Sequence, residues 1–188
     1  MKGATETLTN EGFVGPGDDV TRLVFLKKEG FLFLGTVGNL FESGLPALDE
    51  LESCGVYAVT IPDDYKVAFV PPDAAVKRGN VLRPWSMENL RAKWVEGVNV
   101  VYYGLAGRRS FRSLRRRLRD LMRHGTGKTT TNGPHKGGEI LWQLIGYETF
   151  GVWAYPTGGP PVPRVAEHEL LECFHRKAGK LPFANRQF

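Results

Sequence analysis

Cysteine is scarce and long apolar runs are missing. Only Cys54 and Cys173 occur in 188 residues, and their separation fits no metal-binding or redox spacing. That excludes a disulfide-stapled scaffold and a cysteine-ligated zinc module. The expectation is two reduced, buried thiols in a cytoplasmic protein. No apolar segment approaches the roughly 20 residues of a membrane-spanning helix, so no membrane partner is expected. Met1 to Gly12 is polar and acidic and lacks the basic-then-apolar order of a secretory leader. Internal repeats and low-complexity stretches are absent too. Hydrophobic residues make up 41% and charged residues 24%, which excludes disorder, collagen-like repeats and coiled coil as whole-chain descriptions. The length suits one domain with a core of its own.

Charge is present, and unevenly placed. The net charge is +5 and the pI near 9.3. Nine Arg or Lys lie between Arg108 and Lys128 against one acid, Asp120. Arg176, Lys177, Lys180 and Arg186 add to this near the C-terminus, whereas the N-terminal quarter is acidic, with Glu6, Glu11, Asp18, Asp19, Glu42, Asp49, Glu50 and Glu52. A concentrated basic segment suits phosphate contacts, and equally a solvated helix face.

Short strands and helices alternate. Strands are expected at Thr21–Leu26, Gly30–Leu34, Gly55–Ile61, Lys66–Val70, Val98–Leu105, Glu139–Ile145 and Gly151–Tyr155. Helices are expected at Ser86–Val95, with Ser86 as N-cap, at Phe111–Arg123 and at Val165–His175, with a short amphipathic piece at Leu45–Leu51. The fold class is α+β, a small central mixed or antiparallel sheet flanked by helices.

Helical wheels single out Glu167 on one helix and the edge arginines Arg115 and Arg117 on another. On the last helix Ala166, Leu170, Leu171, Cys173 and Phe174 form an apolar arc. Glu167 falls inside it, and Glu169, Glu172 and His168 fall outside. A core-facing carboxylate is costly unless it is paired, protonated or bound to a cation, so Glu167 is either a salt-bridged core residue or a metal ligand. On the arginine-rich helix, Arg112, Arg116, Arg119 and Arg123 point away from the apolar arc, while Arg115 and Arg117 sit at its edges. An edge arginine held by the core can present its guanidinium to a cleft, as phosphate recognition requires.

Gly55-Val56-Tyr57 followed by Tyr102-Tyr103-Gly104 resembles the paired motifs of the GIY-YIG nuclease superfamily. Ser113-Leu114-Arg115-Arg116-Arg117-Leu118 is similar to the family's arginine helix, Glu167-His168-Glu169-Leu170-Leu171 to its metal-binding glutamate helix, and Pro182-Phe183-Ala184-Asn185 to its closing Pro and Asn. The segment Gly133-Pro134-His135-Lys136-Gly137-Gly138, running into Leu141-Trp142-Gln143-Leu144, is similar to bacterial GIY-YIG proteins of undetermined role. The resemblance covers about Gly55 to Arg186. It implies a nuclease domain over 55–188, preceded by an N-terminal extension over 1–54 and interrupted by an insertion at about 62–95. Leu105 stands where the family often has Lys. The wheel favours Arg117 over Arg116 as the catalytic arginine, and Glu167 over Glu169.

The resemblance implies metal-dependent hydrolysis of DNA phosphodiester bonds, RNA being a possible substrate as well. Glu167 would hold Mg²⁺ or Mn²⁺ and Arg117 would neutralise a phosphate oxygen. Tyr57 would act as general base or water-orienting group, with its pKa lowered by nearby cations. Tyr102 would orient water or phosphate, and Asn185 would support them. His124 and His135 are further candidates for proton transfer, and Arg112, Arg116, Arg119, Arg123, Lys128 and Lys136 for backbone contacts. The additions to the domain suit sequence specificity, as in restriction, or homodimer contacts. The alternatives are a nucleic-acid-binding protein on the same fold that does not cut, and a structure-specific repair or mobile-element nuclease. A chance match predicts that Tyr57, Tyr102, Arg117, Glu167 and Asn185 scatter over the structure.

Overall fold

The computed structural model describes residues 13–15, 17–107, 111–128, 137–160 and 162–188. Four strands, β1 (Leu32–Thr36), β2 (Gly55–Thr60), β3 (Val100–Ala106) and β4 (Gly151–Pro156), form an antiparallel sheet in the order β1-β4-β2-β3. β2 is buried along its whole length. An inner strand covered on both faces has no solvent side, which is why Gly55–Thr60 reads as a continuous apolar run and not as an alternation. The α+β class expected from the sequence is the one observed, with every strand pairing antiparallel.

Helices cover both faces. Leu34, Tyr57, Val59, Val101 and Tyr102 pack in one layer with α2 (Val37–Ser43), α5 (Leu114–Gly125), α6 (Gly138–Leu141) and the segment around α3 (Pro72–Lys77) and α4 (Met87–Lys93). Val56, Ala58, Val100, Tyr103 and Trp153 pack in the other with α1 (Leu23–Lys28) and α7 (Val162–Ala178). Capping fixes two helix starts. The Ser113 hydroxyl accepts from the Arg116 amide at 3.3 Å, and the Ser86 hydroxyl from the Asn89 amide at 3.2 Å.

The structure departs from the sequence expectations at four elements. Residues 21–26 contribute to α1 and not to a strand: Phe25 and Leu26 are adjacent and buried while Val24 is exposed, and Gly30, at φ +77°, closes the turn. Residues 139–145 form the short α6 and a turn, because buried Glu139 reaches inward to the Leu82 and Arg83 amides. Over 66–70 there is a single bridge, Phe69 to Leu144. The piece at 45–51 is reduced to a 3-10 turn at Asp49–Glu52.

The domain description also changes. β1 belongs to the segment read as an extension, yet it pairs with β4 in the one sheet. The insertion likewise adds Ala75, Val81 and Leu90 to the core. Cys54 is buried as expected and Cys173 is only half-buried; both are free. No helix among the described residues is long and apolar enough to cross a membrane.

Candidate active site

Register places the two tyrosine motifs. Tyr57 on β2 faces Gly104 on β3, and Val59 faces Tyr102. Facing residues of an antiparallel pair share a side of the sheet, so Tyr57 and Tyr102 project together. Their ring centroids lie 5.8 Å apart, edge to face at 61°. Tyr103 points to the opposite side, where its hydroxyl donates to the Val20 carbonyl at 2.7 Å.

The motif glycines make room. A Cβ on Gly104 would stand 2.5 Å from the Tyr57 hydroxyl oxygen. One on Gly55 would collide with the Tyr155 carbonyl and stand 2.9 Å from Leu114 Cδ1. Gly55 thus lets β4 and α5 close on β2, and Gly104 leaves a slot across the strand for the Tyr57 ring. Gly137 does the same for Tyr102, whose ring a Cβ would approach to 2.5 Å.

Arg117 comes in from α5, half-buried, and is close enough for its charge to act on both Tyr57 and Tyr102. The Arg117 Nε is buried and has no hydrogen-bond partner among the described residues. Glu167 is close enough for its negative charge to act on both tyrosines. Burial raises the Tyr57 pKa above its ordinary value; the Arg117 charge and the Tyr102 hydrogen bond pull it down without overcoming burial. Burial also holds Tyr102 well above the ordinary value, with Tyr57 adding to the rise. Burial disfavours the charge of Arg117, but Tyr57 and Tyr102 outweigh it and the net shift is upward. This corrects the expectation of a lowered Tyr57 pKa: at neutral pH Tyr57 is a neutral, fully buried phenol.

A cleft of about 330 Å³ opens beside this array, lined by Tyr102, Gly137, Glu167, Asn185, Arg186 and Phe188 among others. Glu167 is half-buried on its rim, where α7 leaves the sheet-facing core. Asn185 supports the cleft wall. Its Oδ1 accepts from the Tyr103 amide at 2.9 Å and its Nδ2 donates to the Tyr103 carbonyl at 2.8 Å. Since β3 is an edge strand, these bonds occupy groups that no neighbouring strand pairs. Asn185 therefore positions the strand that carries Tyr102.

The remaining candidates lie elsewhere. His124 is buried against Glu139, 3.7 Å from its carboxylate, and is not among the residues that line the cleft. Arg112 is paired with Asp120. Arg116, Arg119, Arg123 and Lys128 are exposed; the last three help line a groove of about 410 Å³ with Leu40, Phe41 and Met122. His135 and Lys136 lie outside the described residues.

The sequence reading missed a cluster beside the cleft. Trp85 is held by buried Gln143, whose Oε1 accepts from the Trp85 amide at 2.7 Å while its Nε2 donates to the Trp85 carbonyl at 3.0 Å. Lys93 and Arg186 lie 6.0 and 5.9 Å from the Trp85 ring centroid. Lys93 reads in the sequence as an ordinary cation of a helix's last turn, and nothing in its spacing marks it.

No protein-family model, curated protein or solved structure matches this chain. Among the described residues no group of three or more His, Cys, Asp or Glu gathers as a metal site. A single half-buried carboxylate on a cleft with room for water still suits Mg²⁺, which keeps several waters and takes one or two carboxylates plus phosphate oxygens.

Proposed function

We propose that the chain is a metal-dependent endonuclease of the GIY-YIG type that hydrolyses phosphodiester bonds of DNA. The observation that carries this reading is the convergence of the Tyr57 and Tyr102 rings, 5.8 Å apart, with Arg117 and Glu167 close enough for their charges to act on both, beside an open cleft. A chance motif match supplies no reason for residues 110 positions apart to meet. A basic surface on α5 supports a polyanionic substrate.

In hydrolysis the oxygen of water forms a new bond to phosphorus, the phosphorus–O3′ bond breaks, and a proton ends on the 3′ oxygen. Arg117 neutralises a non-bridging phosphate oxygen as charge develops there, the kind of contact whose loss costs about 10²–10³ in rate. Tyr57, neutral in the metal-free protein, orients water or phosphate by hydrogen bonding. Tyr102 holds the Tyr57 hydroxyl in place and faces the cleft. Glu167 would hold the divalent ion, which when bound supplies Lewis-acid stabilisation of the phosphorane and the leaving oxygen. Asn185 keeps β3, and with it Tyr102, in register.

The test is cleavage of supercoiled plasmid with Mg²⁺, with and without EDTA, by wild type, Glu167→Ala and Arg117→Ala. Nicking or linearisation that EDTA and either substitution abolish is expected, and discrete bands report sequence specificity. A second reading draws on the complete burial of Tyr57: a protein of this fold that binds nucleic acid without cutting. It predicts salt-sensitive binding with no cleavage of plasmid, branched or single-stranded DNA.

A further inference from the structure

Lys93 and Arg186 are two cations gathered on one side chain without an anion. Both approach the Trp85 ring, and neither forms an ion pair with a carboxylate among the described residues. Lys93 donates to the Asn185 carbonyl. Lys180 brings a third cation to the same helix end, donating to the Ala92 and Trp94 carbonyls at 2.7 and 3.2 Å. Bringing like charges together costs free energy, and a ring quadrupole offsets only part of it. The cluster is nonetheless firmly built. Gln143, itself fully buried, fixes the Trp85 backbone with a reciprocal pair of hydrogen bonds. The Lys93 ammonium is neutralised at about pH 8, chiefly because it is half-buried and also because Arg186 faces it. Arg186 lines the same cleft as Glu167 and Tyr102.

We propose that Lys93 and Arg186, mounted on Trp85, form a phosphate subsite that holds the nucleic-acid strand beside the scissile bond. This rests on the nuclease reading for its substrate. The anion supplies the missing charge and is bound by two donors that meet at one aromatic ring. It also gives the 62–95 segment a role: that segment carries Trp85 and Lys93 to the side of the cleft, where Gln143 of the Leu141–Leu144 stretch fixes Trp85 and the Asn185 carbonyl holds Lys93.

Two measurements test the subsite. Lysines are ¹³C-methylated and the Lys93 resonance, assigned by its loss in Lys93→Arg, is titrated by NMR with and without inorganic phosphate. The midpoint, about 8 in the free protein, is expected to rise with phosphate, and the rise to be lost in Arg186→Met. Separately, binding of a DNA duplex to cleavage-deficient Glu167→Ala protein is followed against salt. Each of Lys93→Met and Arg186→Met is expected to flatten the log–log salt slope by about 0.9, with Lys93→Arg restoring it. Arg186 is exposed, so its variant keeps the test open if Lys93→Met fails to fold. A Lys93 midpoint indifferent to phosphate, or slopes unchanged in both variants, overturns the subsite. If the wild type neither cuts nor binds DNA while Lys93 still responds to phosphate, the nuclease reading falls and the anion subsite stands.

Discussion

At the scale of single residues the site depends on small side chains as much as on the tyrosines. Gly104 faces Tyr57 across the β2–β3 pair, and a Cβ there would stand 2.5 Å from the phenolic oxygen. The ring is fully buried and packed edge to face against Tyr102, so it has little room in which to yield. Gly104→Ala is therefore an overpacking substitution, expected to cost about 1–3 kcal/mol and to shift the Tyr57 hydroxyl away from Arg117. In a denaturant-unfolding double-mutant cycle, the cost of Gly104→Ala should largely vanish in a Tyr57→Ala background. A cost that persists there would show that the glycine is needed for the backbone and not for the ring. The same packing argument explains why a glycine follows Tyr102-Tyr103.

Among the elements, β3 is the one that needs outside support. It is an edge strand carrying Tyr102, and the Asn185 side chain satisfies both backbone groups of Tyr103 on its open side. Asn185→Ala removes two buried hydrogen bonds and leaves a donor and an acceptor uncompensated, at a cost of about 2–4 kcal/mol. The expected outcome is a lower denaturant midpoint, with faster hydrogen exchange of the Tyr103 amide. Unchanged exchange would place the value of Asn185 elsewhere. Such a clamp could not be read from the sequence, where Asn185 is a polar residue in a tail, because it depends on which strand lies at the edge. What was legible is physically of another kind. The continuous apolar run of β2 requires an inner strand, the Ser86 cap marks the start of α4, and 3.6-residue spacing defines α5. Glu167 was legible because helix periodicity assigns it a side; Tyr57, Tyr102 and the choice of Arg117 came from the motif resemblance, since periodicity alone left Tyr102 and Tyr103, and Arg115 and Arg117, as alternatives. The misread segments, α1 and α6, are short apolar stretches for which periodicity decides little. There long-range contacts decided: Glu139 turned toward the amides of Leu82 and Arg83, a partner 56 positions away in the case of Arg83.

The whole molecule answers to pH through His124. This side chain of α5 is buried at 1% exposure, and burial lowers its pKa despite the opposing Glu139 charge. Among the described residues neither ring nitrogen has a hydrogen-bond partner within reach, and α6 packs close enough that a Cβ on Gly138 would collide with the ring. Above the unfolded histidine pKa, near 6.5, the imidazole is neutral in both states and makes no pH-dependent contribution. As pH falls below that value, the unfolded chain takes up a proton that the folded chain refuses. Stability then drops by about 1.4 kcal/mol per pH unit until the folded-state pKa is reached, where the drop ends. Because α5 also carries Arg117, loosening at His124 acts on the same helix that positions the phosphate-binding arginine. Urea unfolding of wild type and His124→Leu between pH 8 and pH 5 measures this directly. The wild type should lose stability relative to the variant below about pH 6.5, and the two curves should run parallel above it. Parallel curves throughout would mean that the folded protein takes up the proton as readily as the unfolded chain, the Glu139 charge fully offsetting burial; a gain in wild-type stability at low pH would mark a folded-state ion pair.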